Sequence, residues 1–135
     1  MKARTRGFTL IELMIVFAIL AVLLMLVLPN FVRARSNARL SSCDSNLRNL
    51  SAAVSLYAND NDKRFPDTLD LVTPHYIKAI PSCPSAGSDT YSEGFGSRSN
   101  PDNFTIFCKG SFHVDLGVAQ DHPQIYFDRG LVEGR

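Results

Sequence analysis

The chain has 135 residues, 45% of them hydrophobic and 20% charged, with a formal net charge of +1. So small a balance implies neither a nucleic-acid binder nor a trap for acidic ligands. Its three cysteines allow one internal disulfide at most and leave a thiol over.

The N-terminus opens with a basic leader, MKARTRG, and passes straight into Phe8–Leu28, twenty-one residues that are apolar except for Thr9 and Glu12. As a helix rising about 1.5 Å per residue, this run spans roughly 31 Å, the thickness of a bilayer core. Glu12 is then a carboxylate inside lipid, where an acidic side chain costs about 2.5 to 3.5 kcal/mol at depth and needs a partner. A cleaved secretory signal has a shorter apolar region of about 7 to 15 residues that ends at a small-x-small site. Here PNFVRAR follows Leu28, so the segment is expected to stay attached.

The hexapeptide Gly7-Phe8-Thr9-Leu10-Ile11-Glu12, read as GFTLIE, resembles the class III signal of type IV prepilins and pseudopilins. The resemblance implies that a prepilin peptidase cuts between Gly7 and Phe8 and methylates Phe8 as the new terminal residue. It also implies that Glu12 neutralises the terminal amine of a neighbouring subunit, which answers the problem of a lone carboxylate in an apolar core. Pro29 stands where the family often carries a proline that loosens the helix. Loss of the leader removes Lys2, Arg4 and Arg6, which takes the side chains from +1 to −2. Arg33, Arg35 and Arg39 on the far side of the apolar run match that count, so the positive-inside rule does not set the orientation. The resemblance does, with the leader cytoplasmic and the bulk of the chain exported.

From Asn30 the pattern turns amphipathic. Leu40, Cys43, Leu47, Leu50, Val54 and Tyr57 recur three and four apart, one apolar stripe of a helix laid against a small domain. Asn59-Asp60-Asn61-Asp62 should end it near Asn59, because these side chains compete for backbone hydrogen bonds. The cluster lacks the glycine and closing glutamate of a calcium hand and reads as a helix end.

Residues 61–135 hold six of the seven prolines and seven of the eight glycines, the composition of a turn-rich head. Asp67–Thr73 predicts a short helix or turn, with Asp67 or Thr68 as cap, Leu69 and Val72 on one face and Pro74 as the stop. Thr90–Phe95, Asn103–Cys108 and Gln124–Phe127 predict three short antiparallel strands. A head of this size has a limited core of its own, so the amphipathic half of the helix must supply one wall. The fold class expected is α+β, a long N-terminal helix packed on a small antiparallel sheet.

Cys43 lies on the apolar stripe and reads as a small buried hydrophobe. Cys83 precedes a proline in a loop and Cys108 ends a strand, so Cys83–Cys108 is the favoured disulfide; it would close a loop of about 25 residues and add roughly 2 to 4 kcal/mol. Three reduced thiols are the alternative. A zinc site from Cys83, Cys108, His113 and His122 lacks the closely spaced ligand pairs such sites use, so no metal is expected and both histidines read as loop residues. His75 beside Tyr76 reads as structural. The runs CDSNLRNLSAAVSLYAND, IPSCPSAGSDTYS and NFTIFCKGSFH resemble a group of small pilin-like proteins with a helix cysteine, a Cys-Pro loop and a strand cysteine. The segment Leu116–Gln124 has no close counterpart of the glycine-rich calcium loop of the major pseudopilin of type II secretion.

No Gly-x-Ser-x-Gly elbow occurs, and Gly94-Phe95-Gly96 is too short for a dinucleotide fingerprint, so neither an enzyme nor a cofactor is expected. Arg33, Arg35, Lys63, Arg64, Arg98 and Lys109 are scattered among acids and form no nucleic-acid stripe. The sequence therefore predicts a leader (1–7), a membrane and filament-core helix (8–29), an amphipathic helix half (30–60) and a head (61–135). Its expected role is that of a subunit of a homo-oligomeric helical filament, a type IV pilus-like fibre, handled by the prepilin peptidase and a pilus or secretion assembly machinery. It would be stored in a bacterial inner membrane and then delivered to an extracellular pilus or a periplasmic pseudopilus. A type II secretion pseudopilin and a membrane-anchored, non-polymerising binding protein are the alternatives.

Overall fold

The apolar run and the stripe behind it belong to one helix. In the computed structural model, which describes residues 7–99 and 102–134, α1 extends for 51 residues from Leu10 to Asp60. Leader residues 1–6 lie outside the described part. The helix passes position 29 without interruption, although a proline has no N–H to bond the carbonyl of Met25. It stops within a residue of the expected place. Asn61 Nδ2 donates to the Tyr57 carbonyl at 2.9 Å and the Lys63 N–H to the Ala58 carbonyl at 2.8 Å, satisfying acceptors that a helix end leaves open. Asp62 and Lys63 turn the chain away in the left-handed region.

The described chain divides into two compact units, the first ending at Arg35 and the second beginning at Ser36. In the first, every described side chain from Phe8 to Arg35 is exposed, and the helix is long and apolar enough to cross a membrane. In the second, the stripe behaves as its spacing requires: Leu40, Cys43, Leu47, Leu50 and Val54 are buried and Tyr57 packs at the margin of the core.

Four strands form an antiparallel sheet in the order β1-β2-β3-β4: Phe95–Ser99, Asp102–Phe107, Gln124–Tyr126 and Gly130–Val132. Phe104 and Ile106 alternate along β2 onto one face, as the two-residue strand period demands. There they join Leu47, Leu50 and Val54 of α1, Tyr91, and Ile125 of β3 in the core. Leu69–Val72 is a short 3-10 helix whose two apolar ends, Leu69 and Val72, are buried. Thr68 holds its N-cap position without a side-chain cap bond.

Two strand expectations need correction. Of the expected strand Thr90–Phe95, Thr90–Gly94 is irregular and turned, not strand: Asp89 Oδ1 accepts the N–H groups of Tyr91 at 2.8 Å and Ser92 at 3.1 Å, local bonds that compete with a ladder. Pairing begins only at Phe95, opposite Ile106, and continues to Ser99 opposite Asp102. β4 was not foreseen. It follows β3 through three residues, with Tyr126 opposite Gly130 and Gly130 at φ +73°, the left-handed position that closes a three-residue hairpin.

Candidate functional site

The first candidate is the start of α1. Thr9 Oγ1 accepts the Glu12 N–H at 3.3 Å and the Thr9 carbonyl accepts the Leu13 N–H at 3.2 Å, so Thr9 caps the helix and Glu12 sits at the third helical position. Thr-x-x-Glu is the spacing of a capping box, and a carboxylate in the first turn suits the positive end of the helix dipole. That local role accounts for Glu12 at a helix start, but not for a carboxylate at the head of an apolar run. Phe8 is 72% exposed, and a Cβ placed on Gly7 would meet no heavy atom within 4 Å. Nothing among the described residues demands a glycine there. Pro29 lies within α1.

The second candidate lies in the head, where four segments bring sulfur and imidazole together. Cys43 projects from α1 on its buried face. Cys83 is held in the Cys-Pro loop, its N–H bonded to the Ser88 carbonyl at 2.9 Å and its carbonyl accepting the Gly87 N–H at 2.8 Å. Cys108 follows β2, its N–H donating to the Pro123 carbonyl at 3.1 Å. His113 precedes a second 3-10 helix, Val114–Leu116. The chain returns from Cys108 to His113 through Gly110, at φ +123°, where a Cβ would lie 2.5 Å from the Phe112 ring. Gly110 is pinned to Asp121 by two bonds of 2.8 Å, its N–H to Asp121 Oδ1 and its carbonyl to the Asp121 N–H.

Cys83 Sγ and Cys108 Sγ stand 3.5 Å apart as thiols. His113 Nε2 lies 3.9 Å from the first and 4.0 Å from the second. The Tyr91 hydroxyl donates to Cys43 Sγ at 3.3 Å and Thr90 Oγ1 lies 3.3 Å from Cys108 Sγ. Hydrogen bonds from Cys108 and Cys43, backed by the backbone of Ala86 and Ser85, hold the Cys83 thiol far below the ordinary thiol range despite its burial. Bonds to Cys108 and Cys83, together with burial, push Cys43 far above it.

Sequence reasoning selected Cys83 and Cys108, and the structure makes them neighbours. The zinc set weighed and rejected from the sequence contained His113 and His122; the structure brings His113 to the two sulfurs, whereas His122 Nδ1 is bonded to the Gln120 carbonyl at 2.9 Å and the fourth member of the group is Cys43. The overlooked signal was Cys108-x4-His113, a spacing within the range of paired zinc ligands. Cys43 carried no such signal, because its position on the stripe already explained its burial.

Residues 2–28 match the family model described as the prokaryotic N-terminal methylation motif. The chain is 32% identical over 88 residues to the competence protein ComGC of Halalkalibacterium halodurans, covering 65% of this chain and 85% of that protein. It is 28% identical over 89 residues to the ComG operon protein 3 homolog of Bacillus licheniformis, covering 66% and 92%. It is 40% identical over 83 residues to the type II secretion system core protein G of Klebsiella pneumoniae, covering 62% and 55%. No solved structure matches the chain.

Proposed function

Because the chain belongs to the type IV pilin and pseudopilin family, we propose that it is a structural subunit of a pilus-like filament and not an enzyme. The prepilin peptidase removes the leader between Gly7 and Phe8 and methylates Phe8. The precursor waits in a bacterial inner membrane, and the assembly machinery draws it into a helical homo-oligomer with the apolar helices at its centre. The observation that carries this reading is the apolar run itself: twenty-one residues with two polar exceptions, each of them exposed among the described residues of the first unit. Lipid covers such a surface before assembly and copies of the same helix cover it afterwards, an exchange of one apolar surrounding for another. Glu12 then sets the register, because its carboxylate is tolerated in that core only against the Phe8 amine of a neighbour.

The relative from a secretion system favours a second reading within the same family, a periplasmic pseudopilus. Both readings predict the same behaviour of Glu12. Glu12→Ala should be cleaved and methylated normally but should assemble poorly, with filament yield down about tenfold or more, as loss of a buried pairing of 3 to 5 kcal/mol implies. Filament yield is read from the sheared fraction and processing from the mass of the membrane-bound chain. Wild-type yield from the variant would remove Glu12 from assembly.

A further inference from the structure

The side chains of Cys43, Cys83, Cys108 and His113 offer three sulfurs and one imidazole nitrogen, all buried and all within 4.8 Å of one another. We propose that this quartet is a closed tetrahedral zinc site, with the three Sγ atoms and His113 Nε2 as its ligands, a role independent of how the filament assembles. A zinc–sulfur bond of about 2.3 Å places neighbouring tetrahedral ligands roughly 3.8 Å apart. The separations of 3.5, 3.9 and 4.0 Å between Cys83, Cys108 and His113 are already close to such edges.

A disulfide between Cys83 and Cys108 accounts for only two of the four groups. It would leave the Cys43 thiol and the His113 imidazole buried against the bridge but outside it. Zinc uses all four. On uptake the three sulfurs bind as thiolates, any proton still held passing to solvent, and with a neutral imidazole the site carries one net negative charge. Each sulfur has a donor to share that charge. The Tyr91 hydroxyl serves Cys43 and is itself fixed by Asn46 Nδ2 at 3.3 Å. The Thr90 hydroxyl serves Cys108, and backbone groups of Ser85 and Ala86 serve Cys83. Such outer partners orient ligands and tune a metal centre.

The chemistry selects the ion. Three sulfurs and a nitrogen are too soft for calcium or magnesium, which take oxygen. An iron–sulfur cluster spreads its cysteines around several irons, whereas these sulfurs converge on one point. Four protein ligands leave no open position for water or substrate, so the site is structural and not catalytic. It ties α1, the Cys-Pro loop, the end of β2 and the segment before the second 3-10 helix together at one atom, a staple suited to a head with a small core.

The test uses the full chain, purified in detergent without added reductant or chelator, with metal per chain measured by elemental mass spectrometry. About one zinc per chain is expected, falling to under about a tenth in Cys43→Ser and unchanged in His122→Ala. Cys43→Ser leaves Cys83 and Cys108 intact, so a disulfide alone would make it silent. Should that variant fail to fold, cobalt(II) titration of the reduced wild-type chain provides a second readout, with intense thiolate-to-cobalt absorption and tetrahedral bands expected. The proposal is overturned by a wild-type chain that carries no zinc and a Cys83–Cys108 disulfide, by Cys43→Ser that keeps full zinc, or by cobalt that gives no thiolate band.

Discussion

Gly7 and Gly110 are glycines for different reasons. Gly110 has a positive φ and a phenyl ring where a Cβ would stand, so the fold itself requires it. Among the described residues a Cβ on Gly7 meets nothing, so under the proposed function a glycine there serves the peptidase that reads the signal and not the fold. Gly7→Leu should therefore leave the stability of the head within about 0.5 kcal/mol of wild type while the leader stays attached. Urea denaturation and intact mass check the two halves of that expectation, and normal cleavage would show that the site lies elsewhere. Cys43 marks the limit of legibility at this scale. Its three-and-four spacing with Leu40 and Leu47 revealed its burial, but periodicity carries no information about which distant sulfurs a buried residue meets.

At the scale of elements, the long helix was legible, the short 3-10 helix Val114–Leu116 was not, and strands were only partly so. The stripe from Leu40 to Tyr57 and the turn cluster at Asn59 are local signals, and α1 follows both. Thr90–Phe95 looks like a strand by composition, yet Asp89 captures its N–H groups. Gly96, Ser97 and Arg98, weak strand formers by composition, become β1 because β2 offers an edge to pair with, a case of tertiary context overriding propensity. β4 is three residues long, too short for alternation to register. The stripe also sets an energetic contrast within one helix. Leu50 is fully buried, whereas Leu56 is 53% exposed. Leu50→Ala should cost about 2 to 5 kcal/mol and Leu56→Ala about 0.5 or less, measured by chemical denaturation of the full chain followed by tyrosine fluorescence. Equal costs would mean that the stripe does not form the wall of the head.

For the whole molecule, the apolar run and the head pose separate problems with separate solutions. The head buries its hydrophobic residues against the second half of α1, and the cysteine and histidine side chains converge inside that core. The run Phe8–Leu28 has no such cover within its own unit, and its Glu12 is an acid that lipid alone does not satisfy. Under the proposed function, processing at Phe8 would supply a terminal amine for that acid, and polymerisation would supply an apolar surrounding for the run. The central claim is thus that the chain is matured at Phe8 and works as a filament subunit. Mass spectrometry of the filaments sheared from the native host tests it most directly. The account predicts an abundant peptide that begins at Phe8 and carries one added methyl group, in the sheared fraction for a surface pilus or in the membrane fraction for a pseudopilus. A chain that still begins at Met1, found only in the membrane, would contradict it.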